Sequence, residues 1–218
     1  MHLRPDRLDR ERFTGLWHRL GARGDGSAAF AELATAYAEP HRSYHTVEHI
    51  RDCLGQLDSA VSSDSASPPG RDLVEAAVWF HDLVYDPRAA DNEVRSASRA
   101  GILLADAGVE PGLVDEVSRL ILLTSHDQPP GDGAGRLVCD IDLSILGREP
   151  AEFDRFESRI RAEYAWVPES QYRVGRGRVL EGFLRRRPLY QTPYFKRRYE
   201  TPARRNLEHA LIRLGFVT

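Results

Sequence analysis

The sequence predicts an all-α fold, and three observations support this prediction. Apolar residues recur at the three- and four-residue spacing of helices along most of the 218 residues. Residues that commonly start helices precede many of these stretches, and glycine or proline follows several of them. No stretch alternates apolar and polar residues with the β-branched enrichment of strands. We therefore expect a helical bundle with loops of uneven length.

The helices of the first half follow from these signals in chain order. Phe13, Leu16 and Trp17 share one face of the first predicted helix. Thr46 is placed to cap the third helix and Asp91 the fifth. The predicted helices before residue 110 cover residues 9–20, 27–38, 47 onward, 72–84 and 92–107.

The second half is interrupted by clearer loop signals. Pro111 suits the first position of a helix, and residues 127–135 are rich in proline and glycine. The low-complexity stretch Ser62–Gly70 is predicted to be a surface loop. The remaining predicted helices cover residues 111–123, 136–146, 150–164, 168–187 and 202–214.

Length and charge suggest how the chain is organised. We expect one domain over residues 1–218, with a core at about 27–166 and basic helices at about 167–218 packed on it. Between Tyr172 and Arg205 there are eleven basic and two acidic residues, a net charge of +9 in a chain whose total is −3. Such a region favours a phosphorylated substrate or nucleic acid, and a solvated helix face is the simpler interpretation.

Composition also bears on location. No apolar run approaches the roughly 20 residues that span a membrane. The charged N-terminus lacks the apolar core of a signal peptide. Cys53 and Cys139, the two cysteines, fit small core residues better than a disulfide. These features predict a cytoplasmic protein that has no membrane partner.

A cluster of histidines and an aspartate is the main functional signal. His81 and Asp82 follow an apolar run, and a buried charge is costly unless it is paired or bound to a metal. His45 and His49 are one helical turn apart, about 5–6 Å, so both imidazoles can face one cavity. Imidazole and carboxylate ligands suit Zn²⁺, Mn²⁺, Fe²⁺, Co²⁺ or Ni²⁺. The sequence therefore predicts a divalent-metal site.

A further ligand is expected from Asp140 or Asp142. Residues two apart on a helix point about 200° from each other, so only one of them should face the site. Asp142 precedes a run of apolar residues that suits a helix lining the core, which favours it as the ligand. Asp140 is then an N-cap, although the reverse assignment stays open.

These residues resemble a known family. The order of His49, the His81-Asp82 pair and Asp142 resembles the H…HD…D signature of the HD-domain metal-dependent phosphohydrolases. The Tyr-His start before His49 is similar to the Tyr-His-Asn-x-x-His motif of cyclic nucleotide phosphodiesterases, with Thr46 in place of the asparagine. A group of uncharacterised bacterial HD proteins is similar over most of the chain. The resemblance implies an HD-type helical bundle with a basic C-terminal extension.

The resemblance also implies roles for the cluster. His49, His81, Asp82 and Asp142 would hold one divalent ion, or two ions with further ligands, drawn from Mn²⁺, Ni²⁺, Co²⁺, Zn²⁺, Fe²⁺ and Mg²⁺. The ion would lower the pKa of a bound water and polarise a phosphoryl oxygen. His45 would protonate the leaving oxygen, since histidine suits acid–base work near neutral pH.

Four residues outside this set are weaker candidates. Glu93 either orients the attacking water or is a first-turn acid favoured by the helix dipole. His126 matches one of two extra histidines of dinuclear relatives, or it binds phosphate, or it is an ordinary loop histidine. Arg176 and Arg178 are candidates for bidentate hydrogen bonds to a substrate phosphate.

The predicted function is hydrolysis of a small phosphate ester, with a nucleotide as the first candidate. The choice among phosphomonoesterase, phosphodiesterase and pyrophosphohydrolase stays open, as do the metal and the oligomeric state. The alternatives are an HD-fold di-iron oxygenase and a catalytically silent, nucleotide-binding HD module. Nucleic-acid binding is less favoured, because only the basic segment supports it.

Overall fold

The computed structural model describes residues 8–63 and 70–216, and every regular element in these ranges is helical. The all-α prediction is therefore confirmed. Two short 3₁₀ turns, Leu123–Ser125 and Leu143–Gly147, accompany the α-helices. The α-helices of the described ranges are α1 (Arg10–Arg19), α2 (Ser27–Ala36), α3 (Val47–Ser63), α4 (Arg71–Phe80), α5 (Asn92–Asp106), α6 (Pro111–Leu122), α7 (Gly133–Asp142), α8 (Pro150–Glu163), α9 (Glu169–Arg185) and α10 (Pro193–Leu214).

The bounds of three predicted helices are wrong. The helix predicted over 136–146 is α7, which starts at Gly133 and ends at Asp142, so residues 133–135 of the loop predicted over 127–135 are helical. The helix predicted over 72–84 is α4, which follows Gly70 in a left-handed conformation (φ +79°) and ends at Phe80. The helix predicted to start at Pro202 is α10, which starts at Pro193 and contains Pro202 in its interior. Both prolines suit a first helical position, so local signals did not separate them.

Part of a predicted loop also proves helical. Ser62 and Ser63, which were assigned to the loop Ser62–Gly70, belong to the last turn of α3. Residues 64–69 of that predicted loop lie outside the described residues.

The chain divides into two compact units, and the boundary falls within α7 after Cys139. The first unit contains α1–α6, and the second contains α8–α10. This boundary does not coincide with the expected change near residue 167. No helix in the described part of the chain combines the length and apolar character that crossing a bilayer requires.

Helix α4 is the central element of the first unit. Every residue from Ala76 to Phe80 is at most 2% exposed. The helix contacts α1, α3, α5 and α6. A helix that is buried on all sides must be enclosed by its neighbours. The end of α4, with the His81-Asp82 pair that follows it, therefore lies inside the unit.

A buried ion-pair network joins α1, α3 and α4. Glu75, 1% exposed, accepts hydrogen bonds from Nε of Arg12 at 2.6 Å and from Nη2 of Arg19 at 3.2 Å. Arg12 also donates to Asp58 of α3 at 2.6 Å. Because a buried carboxylate is costly without partners, these contacts hold α1 and α4 in a fixed relation.

The second unit is organised around α10, which packs against α9 and the turn Leu143–Gly147. The contact with the turn is close, because a β-carbon at Gly147 would lie 2.8 Å from the carbonyl oxygen of Tyr199. Asn206 secures the same region by donating to the carbonyl oxygen of Leu146 at 2.9 Å. Glycine is therefore required where the turn meets α10.

Asp140 fixes the start of α10. Its side chain accepts hydrogen bonds from the amides of Gln191 at 2.8 Å and Thr192 at 2.7 Å, and from the Thr192 hydroxyl at 2.7 Å. Burial raises the pKa of Asp140 to about 6, although the amides of Thr192 and Gln191 oppose this rise. Since Asp140 holds Thr192 in the N-cap position, Pro193 becomes the first helical residue.

Replacing Glu75 by alanine should lower the free energy of unfolding by about 1–3 kcal/mol, because Nε of Arg12 would lose its buried acceptor, while Arg12 keeps its bond to Asp58. Glu32→Ala is the matched control, since Glu32 pairs with Arg99 at 2.6 Å on the surface. An exposed pair of this kind contributes about 0–1 kcal/mol. Urea unfolding followed by circular dichroism measures both variants, and equal losses would contradict a special role for Glu75.

Candidate metal centre

The candidate site lies where α4 ends and α3 begins. The amide of His81 makes the last α-helical hydrogen bond, to Ala77, and the amide of Leu83 then closes a tighter turn onto Phe80. Asp82 therefore lies in a turn that follows α4. The prediction that the His-Asp pair sits on a helix continuing to Val84 is wrong, because the carbonyl groups after His81 bind a side chain instead of helical amides.

Three ligand atoms converge in this region. The Nε2 atoms of His49 and His81 are 3.1 Å apart. Oδ2 of Asp82 lies 3.0 Å from Nε2 of His81 and 3.6 Å from Nε2 of His49. Such separations suit ligands that share one ion at about 2.0–2.2 Å. His49, His81 and Asp82 are thus placed to hold a metal ion.

The environment of His81 prepares one ring nitrogen for this role. Its Nδ1 lies 2.9 Å from the carbonyl oxygen of Val78, which only accepts hydrogen bonds, so Nδ1 carries a proton. Nε2 is then the ring nitrogen that faces Asp82 and His49. A histidine whose other ring nitrogen donates to a carbonyl group is typical of metal sites.

Asp82 supplies the negative charge of the cluster. Its Oδ2 is buried and has no hydrogen-bond partner among the described residues, although two imidazoles lie nearby. Burial alone would raise the pKa of Asp82, but the charges of His81, His45 and His49 hold it below its usual range. An ionised, buried oxygen that lies 3.0 Å from one imidazole nitrogen and 3.6 Å from another fits the residue set to a cation.

His45 lies beside the three ligands. Its ring centre is 6.0 Å from that of His49 and 4.2 Å from that of Tyr85. His45 immediately precedes the first turn of α3 and is partly exposed, whereas His49 is 4% exposed. His45 thus lies before α3 begins at Val47, at the edge of the site, and His49 lies in its interior.

The structure reveals two neighbours of the site that sequence reasoning did not assign to it. Sγ of Cys53 lies 3.7 Å from Nδ1 of His49, and the four-residue spacing of the two on a helix was the available signal. Arg42 is 7% exposed and contacts the turn that carries Asp82. No local signal marked Arg42, because arginine is normally exposed.

The other predicted acid–base residues lie on neighbouring elements. Glu93 is in the first turn of α5, and Asn92 beside it exchanges two hydrogen bonds of 2.9 Å with the main chain of Asp86. His126 has φ +58°, the one positive φ of a non-glycine residue in the described ranges. The proposed catalytic roles of Glu93 and His126 stay predictions.

The two acids of α7 differ in their surroundings. Asp140 is occupied by the hydrogen bonds that start α10, so it serves as a structural anchor. Asp142 is the last residue of α7 and is partly exposed. The role of Asp142 as a further ligand stays a prediction.

The two predicted phosphate ligands lie on α9 of the second unit. The guanidinium of Arg176 donates from Nε to Glu157 at 3.2 Å and packs 5.3 Å from the ring centre of Phe156. These contacts favour a role for Arg176 in packing α9 on α8 over one in phosphate binding. Arg178 is exposed, and its phosphate contact stays a prediction.

No protein-family model, no curated protein and no solved structure significantly matches the chain. The resemblance to HD-domain phosphohydrolases therefore stays a prediction that rests on the order and spacing of the motifs. The functional argument depends on the geometry around His49, His81 and Asp82.

Adding Mn²⁺ or Co²⁺ should raise the melting temperature of the protein, because an ion that binds only the folded state stabilises it by about 2.7 kcal/mol at 100 times its Kd. His81→Ala and Asp82→Ala should abolish the rise, since each removes one ligand. Asp91→Ala is the control, because this exposed acid makes no side-chain cap. Differential scanning fluorimetry measures the shift, and an equal rise in all variants would place the ion elsewhere.

Proposed function

We propose that the protein is a metal-dependent phosphohydrolase of the HD-domain type. The convergence of Nε2 of His49, Nε2 of His81 and Oδ2 of Asp82 within 3.6 Å of one another carries this proposal. His45 beside them adds a group that exchanges protons near neutral pH. Together these residues supply ligands and an acid, the two needs of metal-assisted hydrolysis.

The proposed ligands are of two chemical types. His49 and His81 provide neutral nitrogen atoms, and Asp82 and Asp142 provide carboxylate charge. Mn²⁺, Ni²⁺, Co²⁺, Zn²⁺ and Fe²⁺ suit mixed imidazole and carboxylate ligands, and Mg²⁺ is the less suited candidate. When bound, a divalent ion supplies a water of lowered pKa and polarises a phosphoryl oxygen.

His45 is the proposed general acid for the leaving oxygen of the substrate. Its ring packs at 4.2 Å against Tyr85, and its partly exposed position leaves it accessible to a substrate. Glu93 is the proposed acid that orients the attacking water. A positioned acid or base of this kind contributes about 10²–10⁴-fold to the rate.

The proposed substrate is a small phosphate ester, with a nucleotide as the first candidate. The net charge of +9 between Tyr172 and Arg205 supports a phosphorylated ligand, and Arg178 is the exposed arginine proposed to contact it. We also propose a cytoplasmic location for the protein.

Metal-loaded protein should hydrolyse at least one class in a panel of p-nitrophenyl phosphate, bis(p-nitrophenyl) phosphate and nucleotides. His45→Ala should retain the ion and lower kcat by about 10²–10⁴-fold, because it removes the proton donor and no ligand. His81→Ala should lose both metal and turnover. His209→Ala, an exposed histidine of α10, is the control and should change neither. Metal analysis and steady-state assays with Mn²⁺, Ni²⁺ or Co²⁺ measure the outcomes.

Each contrary result has a defined meaning. Loss of the ion in His45→Ala would make His45 a ligand. Metal binding without hydrolysis of any substrate would favour the silent, nucleotide-binding alternative. An iron content near two atoms per chain with oxygen consumption would favour the di-iron oxygenase.

A further inference from the structure

Arg42 is a buried arginine that contacts two parts of the candidate site. Its side chain is 1% exposed. Nη1 donates to the carbonyl oxygens of Asp82 at 2.6 Å and His45 at 3.3 Å, and Nη2 donates to that of Leu83 at 3.1 Å. Nε donates to the carboxylate of Glu39 at 2.9 Å. The guanidinium therefore binds the main chain on both sides of the ligand cluster.

The carbonyl groups that Arg42 binds have a particular need for partners. The last carbonyl groups of a helix have no amide ahead of them, and an arginine side chain can supply the missing donors. Asp82 and Leu83 lie just beyond His81, the C-cap of α4, and their carbonyl groups accept from Arg42 where no further helical turn follows. Because the same guanidinium also binds His45, it joins the end of α4 to the start of α3.

Burying the Arg42 guanidinium costs free energy, so its position indicates a specific role. The guanidinium lies 5.2 Å from the ring centre of Tyr37 and 5.4 Å from that of Tyr85. Glu39, the acid that pairs with it, is 41% exposed and offsets little of the desolvation of a buried cation. A lysine would not reproduce the contacts, because its single ammonium lacks the planar fork of donors.

We propose that Arg42 is a positioning residue that preforms the metal centre. It holds the turn carrying His81 and Asp82 at the separation from His49 that one ion requires, with His45 beside them. This inference rests on the proposed metal-dependent function. It adds that the affinity for the ion depends on a residue that contributes no ligand atom.

Isothermal titration of Mn²⁺ into Arg42→Lys tests the proposal. We expect the Kd to rise by about 10- to 100-fold, the usual effect of removing a residue that orients metal ligands. Folding is checked by circular dichroism and melting temperature, so a loss of affinity is measured on folded protein.

Arg161→Lys is the matched control. Arg161 donates to the carbonyl oxygens of Tyr164 at 2.6 Å and Val167 at 3.1 Å, and to Glu169 at 3.0 Å, all within the second unit. The substitution removes a guanidinium that donates to two main-chain carbonyl groups, as Arg42→Lys does in the first unit. It should lower the melting temperature while leaving the Kd for Mn²⁺ unchanged.

An unchanged Kd in folded Arg42→Lys would overturn the role of Arg42 and leave the metal centre intact. A wild-type protein that binds no Mn²⁺, Co²⁺, Ni²⁺ or Zn²⁺ would overturn the metal centre and this inference together. If Arg42→Lys does not fold, Glu39→Ala replaces it, because Glu39 is partly exposed and accepts from Nε of Arg42. That variant should raise the Kd by about 2- to 5-fold, matching the loss of one hydrogen bond that orients the guanidinium, and no change would overturn the proposal.

Discussion

A helix that ends inside a protein must find partners for its last carbonyl groups, and at the end of α4 this requirement shapes the candidate site. The carbonyl oxygen of Trp79 accepts from the hydroxyl of Tyr37 at 2.9 Å. Nδ1 of His81 donates a hydrogen bond to the carbonyl oxygen of Val78. Arg42 donates to the carbonyl oxygens of Asp82 and Leu83, the two residues that follow His81. The same hydrogen bonds that complete α4 thus orient an imidazole and a carboxylate.

The main chain beyond these residues is fixed in a similar way. Ser96 of α5 accepts from the amide of Val84 at 3.0 Å and donates to its carbonyl oxygen at 3.1 Å. Asn92 likewise accepts a hydrogen bond from the amide of Asp86 and donates one to its carbonyl oxygen. Side chains of α5 thus hydrogen-bond the main-chain amides and carbonyl groups of the loop after Asp82. Because the loop is held in this way, the ligand atoms have little freedom to separate. Such preorganisation favours binding of an ion without rearrangement of the chain.

The basic segment illustrates a different constraint. Its charge of +9 counts arginines that are already engaged within the second unit. Arg176 binds Glu157, and Arg204 binds Glu200 together with the carbonyl oxygens of Leu184 and Arg186. Net charge therefore overstates how many guanidinium groups are available to a ligand, since it ignores partners that are distant in sequence.

The sequence by itself determined the features that depend on neighbouring residues. Helical periodicity indicated the all-α class. Only the tertiary structure shows that α4 ends before Asp82 and that Arg42 binds the turn containing Asp82 and Leu83. In each of these cases the deciding partner lies about forty residues away in the chain. Local patterns describe which groups need partners, whereas the packed fold decides which distant side chain supplies them.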